Sequence, residues 1–166
     1  MEIKELITDV DGVLTSGRYF YSKKGKILKE FGPHDSDGFS IIRSLGISVR
    51  AISADHRGFE ITKKRLDDMG VELHLVSELD RLDWVKNNCN PEQTAFVGDG
   101  LHDIASMRLC SISFAPCNAL PITKANAGYV TQASGGNGVM FEVAMEILKA
   151  VNMPRYQKII LGDVNE

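Results

Sequence analysis

Short apolar runs of strand length alternate along this chain with segments of helical period. Residues 5–10 read as a first strand that stops at an Asp-Gly pair. Residues 18–21 and 27–31 are rich in aromatic and branched side chains and flank a Lys/Gly turn, which predicts a β-hairpin over about 18–31. A helix is expected over 35–45, with Phe39, Ile42 and Leu45 on one face and Gly46 as its stop. Residues 47–53 predict a strand, and 56–69 an amphipathic helix with Phe59, Thr62, Leu66 and Met69 on one side. A strand over 71–76 leads into a helix over 77–88 with Ser77 as N-cap. A strand at 94–97, a helical stretch at 101–109, a strand at 111–115, a short helix at 120–126 and a strand at 128–131 follow. After a Gly-rich loop at 132–138, Val139, Met140, Val143, Ala144, Ile147, Leu148 and Val151 mark a C-terminal helix of about 138–151. The tail 154–166 shows no period.

This alternation is that of an α/β protein with a mainly parallel sheet. The 166 residues suit one domain over 1–166 with a sizeable core and no second unit. Nineteen basic against 22 acidic residues leave a net charge of −3, which argues against a general nucleic-acid binder. Apolar residues at 43% and charged residues at 25% are the balance of a folded globule. Charges at Glu2, Lys4, Glu5, Asp9 and Asp11 exclude an apolar signal-peptide core, and the uncharged stretches are broken by Pro, Gly, Ser or Asn. Cys89, Cys110 and Cys117 are odd in number and lack C-x-x-C spacing, which argues against a disulfide framework or zinc site. The expected setting is the cytoplasm, with reduced thiols.

Candidate chemistry sits at strand ends. Asp9 and Asp11 follow the first strand, where ligands bind in parallel α/β sheets. One carboxylate there can attack or ligate a metal while the other moves a proton, although Asp-Gly is also a common turn. Asp99 and Asp103 follow the 94–97 strand and would share a helix face, as metal ligands or as cap and first-turn acid. Four converging carboxylates call for a cation, and oxygen ligands suit Mg²⁺. Ser53 ends the 47–53 strand, where its hydroxyl can meet phosphate oxygens or cap the next helix.

The segments Ile7-Thr-Asp9-Val-Asp11-Gly-Val-Leu-Thr15, Ile52-Ser53 and Val97-Gly98-Asp99-Gly-Leu-His-Asp103 resemble, in order and spacing, the motifs of the haloacid dehalogenase superfamily. The Tyr/Phe hairpin, Phe31 before Gly32-Pro-His-Asp35, and Gly135-Gly-Asn-Gly138 before Glu142 are similar to its cap-less branch. That branch holds 3-deoxy-D-manno-octulosonate 8-phosphate (KDO 8-phosphate) phosphatases and sialic-acid-type (KDN) 9-phosphate phosphatases. It also holds the C-terminal domain of some acylneuraminate cytidylyltransferases. The resemblance implies a Rossmann-like fold with helices on both faces, a protruding hairpin and no cap domain. It implies a Mg²⁺-dependent phosphatase acting on a phosphorylated sugar or sugar acid, with Asp9 as nucleophile and Asp11 as general acid and base. Mg²⁺ would be held by Asp9, the Asp11 carbonyl and Asp99, with Asp103 in support. Ser53 and Ala54 would meet the phosphoryl group. A homotetramer is implied too, in which the Gly-rich loop 135–138 of a neighbour reaches the active site.

Several positions depart from the branch. Arg81 stands where the family has a lysine and inherits its role beside the nucleophile, with Lys86 as the alternative. Ser53-Ala54-Asp55 replaces the usual Ser/Thr-Gly-Arg, with Arg57 two places on. Asn137 and Phe141 replace basic residues of the Gly-rich segment, and His34 replaces Arg or Lys. His34 and Asn137 are carried as substrate-binding positions. These changes are compatible with an active phosphatase of shifted preference or with a weakly catalytic assembly module for a nucleotide-sugar synthetase. A phosphotransferase ranks last, because no segment is long enough for a cap.

Overall fold

The computed structural model describes residues 2–163. Strand β1 (Glu5–Asp9) lies inside a six-stranded sheet with β4 (Ser48–Ser53) and β6 (Thr94–Val97) as its neighbours. Strands β5 (Glu72–Leu75), β7 (Ile112–Ala115) and β8 (Tyr129–Val130) extend it to the order β5-β4-β1-β6-β7-β8, every pairing parallel. A central parallel strand is covered on both faces, which is why Leu6, Ile7 and Thr8 of β1 and all four residues of β6 are buried. Leu6 and Ile7, adjacent in sequence, point to opposite sides. Leu6, Ala51, Ala95 and Phe114 pack beneath α1 (Asp35–Ser44), α2 (Phe59–Asp68) and α6 (Val139–Val151), through Phe39, Ile42, Leu66, Val143 and Ile147. Ile7, Ile52 and Phe96 pack on the other face against Val85 of α3 (Arg81–Asn88) and Met107 of α4 (Ile104–Leu109). The expected layering, with helices on both faces, is the one observed. No helix among the described residues is long and apolar enough to cross a membrane.

The hairpin stands apart as β2 (Thr15–Ser22) paired antiparallel with β3 (Gly25–Phe31), starting three residues before the expected 18. The helix expected from 56 begins at Phe59, because Asp55 Oδ1 accepts from Gly58 N at 3.1 Å and holds the chain in a turn. The helix expected from 77 begins at Arg81: Ser77 Oγ accepts from Asp80 N at 3.2 Å and closes the turn before it. The stretch expected as a helix at 101–109 opens with a 3₁₀ turn, Leu101–Asp103, before α4. A short helix α5 (Pro121–Lys124) precedes β8.

The unpatterned tail is the largest correction. Residues Met153–Ile160 form a helix, α7, with Pro154 in its first turn and Asn152 accepting from Arg155 N at 3.2 Å. Proline at that place starts a helix rather than stopping one. Residues 164–166 of that tail lie outside the described residues.

Asp35 joins the starts of α1 and α6. It is 2% exposed, and its Oδ1 accepts from Met140 N at 2.9 Å while Oδ2 has no partner. Burial pushes its pKa up to about 6, against the pull of the Met140 and Gly138 N–H groups and of Arg65 and His34. The neutral acid is thus favoured in the folded state, so stability should be lost as pH rises from about 4 through 6. Asp35→Asn removes this dependence. Urea titrations from pH 4 to 7.5 should show the variant gaining on the native chain by up to about 3 kcal/mol above pH 6. A pH-independent difference would show that Asp35 is ionised in both states.

Candidate active site

The carboxyl ends of β4, β1 and β6 converge on one cleft of about 330 Å³, lined by Asp9, Asp11, Ala54, Arg81, Asp99 and Asp103 among others. Asp9 is the last residue of β1 and is 5% exposed. The chain turns at Gly12, whose φ is +100°, and an added Cβ there would fall 2.1 Å from Asp99 Oδ2. Glycine is therefore required both for the backbone conformation and for the approach of the two acidic loops. The Gly-rich loop braces this turn from behind. Gly136 N donates to Val13 O at 3.0 Å, and a Cβ on Gly135 would lie 2.0 Å from Gly12 O. Glu142, at the start of α6, accepts from Gln132 N at 2.8 Å and Ala133 N at 2.9 Å, which fixes the entry to that loop.

Arg81 opens α3 and reaches into the cleft. Its Nη2 lies 2.9 Å from Asp9 Oδ1, and its Nη1 donates to Asp103 Oδ1. Burial alone would lower its pKa, but Asp9 and Asp103 outweigh burial and raise it. The expected role of Arg81 beside Asp9 thus has the required geometry. Lys86 does not: it sits on the exposed side of α3, 3.4 Å from Asp83. Asp103 is fully buried, and its Oδ2 accepts from Asp99 N at 3.0 Å and Gly100 N at 2.9 Å. Both its oxygens are engaged, so it shapes the loop and anchors Arg81.

Ligand oxygens of Asp9, Asp99 and Asp103 lie within 4.8 Å of one another. Burial, and then the neighbouring carboxylates, push the Asp9 pKa well up, with Arg81 opposing. Burial and Asp103 bring Asp99 up to about 6. An all-oxygen donor set whose members resist ionising together fits a divalent cation such as Mg²⁺, which would relieve that crowding.

Ser53 is 1% exposed; its Oγ donates to Asp11 Oδ2 at 3.3 Å and accepts from Asp55 N at 3.1 Å. Ala54 lines the cleft beside it. His34 and Asn137 are not brought to this cleft. They line a separate groove of about 740 Å³ with Phe141, and the His34 side chain is 68% exposed, 3.8 Å from Asp37.

Two lysines went unnoticed in the sequence. Lys26 and Lys29, both on β3, turn their ammonium groups inward. Lys26 pairs with Asp55 and lies 4.0 Å over the Tyr19 ring. Burial would raise the Asp55 pKa, but hydrogen bonds from Lys26 and Lys29 outweigh it and bring it down to about 2. Asp55, which stands where the branch has Arg, thus meets cations from the hairpin. Residues three apart on a regular strand face opposite ways. Here Tyr21 pairs with Lys26 and Phe20 with Leu28, so one extra residue bulges from β3 and returns Lys29 to the side of Lys26.

A family model for haloacid dehalogenase-like hydrolases matches residues 84–143. The 3-deoxy-D-manno-octulosonate 8-phosphate phosphatase of Haemophilus influenzae is 33% identical over 153 residues, covering 89% of this chain and 84% of the relative. The cobalt-bound structure of the phosphatase from Haemophilus influenzae superposes with a TM-score of 0.78 at 33% identity, covering 90% of this chain and 89% of that one. The Moraxella catarrhalis phosphatase, solved with magnesium, phosphate and KDO, gives 0.83 at 27% identity, covering 96% and 92%. The chain belongs to the haloacid dehalogenase-like hydrolases, in the family of the 3-deoxy-D-manno-octulosonate 8-phosphate phosphatases.

Proposed function

We propose that this chain is a Mg²⁺-dependent phosphatase that hydrolyses a phosphorylated sugar or sugar acid, of the KDO 8-phosphate or sialic-acid-type 9-phosphate class. The observation that carries the reading is Asp9 at the end of a central strand, 2.9 Å from Arg81 and clustered with Asp99. The relatives' names supply the substrate class.

In the first half-reaction an Asp9 oxygen attacks phosphorus and the bond to the sugar oxygen breaks. Asp11 gives its proton to that oxygen. In the second, Asp11 takes a proton from water, which attacks the aspartyl-phosphate and frees Asp9 and inorganic phosphate. Ser53 Oγ and the Ala54 segment hold the phosphoryl oxygens, and Arg81 offsets their charge. Held by Asp9, Asp99 and the Asp11 carbonyl, with Asp103 in support, Mg²⁺ would neutralise the repulsion between an anionic nucleophile and an anionic substrate.

The hairpin exposes Tyr19, Phe20, Tyr21, Ile27 and Leu28, a patch that supports assembly through hairpins as a homotetramer. In that assembly the loop 135–138 of a neighbour, with His34 and Asn137, would close each cleft. Three free thiols, Cys89, Cys110 and Cys117, support a reducing cytoplasmic setting.

The test is phosphate release from p-nitrophenyl phosphate and a sugar-phosphate panel with Mg²⁺, then with EDTA. Turnover should require the metal. Mg²⁺ at a hundred times its Kd should stabilise the fold by about 2.7 kcal/mol, raising Tm by about 5–10 °C. Neither turnover nor a Tm shift would overturn the reading and favour an assembly module.

A further inference from the structure

The most constrained cation near the cleft belongs to the hairpin. The Lys29 side chain is wholly buried although Ile27 and Leu28 of the same strand are exposed. Its ammonium lies 2.8 Å from Asp11 Oδ1, 2.9 Å from Asp11 Oδ2, 2.8 Å from Asp55 Oδ2 and 2.8 Å from Thr62 Oγ1. These partners come from three other places in the chain: the loop after β1, the loop after β4, and α2. A buried lysine without such partners would be strongly destabilising, so the acids and the lysine specify one another's positions. The β3 bulge exists at the place that lets this side chain turn inward. Asp11 is otherwise held only by Ser53 Oγ, at 3.3 Å, among the described side-chain contacts.

We infer that Lys29 is a positioning residue for Asp11: it orients the carboxyl that must protonate the leaving oxygen, and so makes the hairpin part of the catalytic machinery. This rests on the phosphatase reading above. Its signature is a dependence on the leaving group. When the ester bond of a sugar phosphate breaks, the departing alkoxide needs the Asp11 proton. When p-nitrophenyl phosphate is the substrate, the phenolate leaves as the anion and needs none. In both cases kcat/KM reports on the step that forms the aspartyl-phosphate, before water attacks.

Lys29→Met keeps the length and removes the charge. For a sugar phosphate, kcat/KM should fall about a hundredfold, the lower end of what a placed general acid contributes. For p-nitrophenyl phosphate it should fall no more than about threefold, with the sugar-phosphate loss carried by kcat rather than KM. Lys29→Arg, which can still reach two carboxylates, should recover part of the sugar-phosphate rate. Should Lys29→Met fail to fold, Thr62→Val decides, since it removes one anchor and leaves every charge in place. It should lower the sugar-phosphate to p-nitrophenyl phosphate ratio by about threefold to tenfold. Parallel losses on both substrates, or no loss on either, would overturn this role and leave the phosphatase reading intact. Absence of metal-dependent turnover in the unsubstituted chain would overturn both.

Discussion

Asp9→Asn should abolish phosphate release from every substrate while leaving the fold in place. The amide cannot attack phosphorus, and among the described residues no other carboxylate stands at the end of β1 facing Arg81. Loss of a nucleophile of this kind costs about 10⁴-fold or more in kcat. The stability change should be small, about 1 kcal/mol in either direction. Two effects oppose each other. The buried Asp9 carboxylate is disfavoured by burial and by its acidic neighbours, and the substitution removes that charge. Arg81 loses one ion-pair partner but keeps Asp103. Rapid acid quench with ³²P-labelled substrate gives the direct readout: label retained on the native protein and none on the variant. Residual turnover within tenfold of the native rate would mean that another group attacks phosphorus.

Arg81→Met should have the largest effect on stability. The guanidinium spans two buried acids, and its removal leaves Asp9 and Asp103 facing each other without a cation. Breaking a buried pair from one side costs about 3–5 kcal/mol, a large share of the 5–15 kcal/mol that holds a domain folded. Phosphatase activity should fall about a hundredfold or more, because the charge opposing the phosphoryl oxygens is gone. Urea unfolding in EDTA measures the stability change without metal to mask it. Arg81→Lys tests the geometry: one ammonium replaces the charge but not the fork that bridges both acids. It should regain much of the activity, since the family places a lysine here, and only part of the stability. If Arg81→Met were as stable as the native chain, the guanidinium would not be what holds the two acids in place.

Much of the arrangement was legible because it depends on local pattern. The segments 5–10 and 94–97 each have adjacent apolar residues, Leu6-Ile7 and Ala95-Phe96-Val97, as strands covered on both faces do, and each leads into acids. Position 81 was legible only through the resemblance, as the place of the family lysine; that its guanidinium bridges Asp9 and Asp103 was not. The helix over Met153–Ile160 was not legible in a tail without clear period; its start is set by Pro154 in the first turn and by the Asn152 side chain accepting from Arg155 N.

The chain's own pattern determined the layered α/β sheet and the strand ends where ligands gather, through periodicity and the rule that parallel sheets bind at their carboxyl ends. It offered Asp9, Asp11, Ser53 and Asp99 as candidates there, and only the resemblance to the family motifs set them apart from turn and cap residues. Tertiary structure alone decided which cations answer those acids. A bulge of one residue in β3 reverses which way Lys29 points, and no periodicity records it. The same holds for His34 and Asn137, which line a groove away from the cleft of their own chain. Long-range pairing of charges depends on where loops meet in space, and 18 residues of chain separate Asp11 from the lysine that holds it.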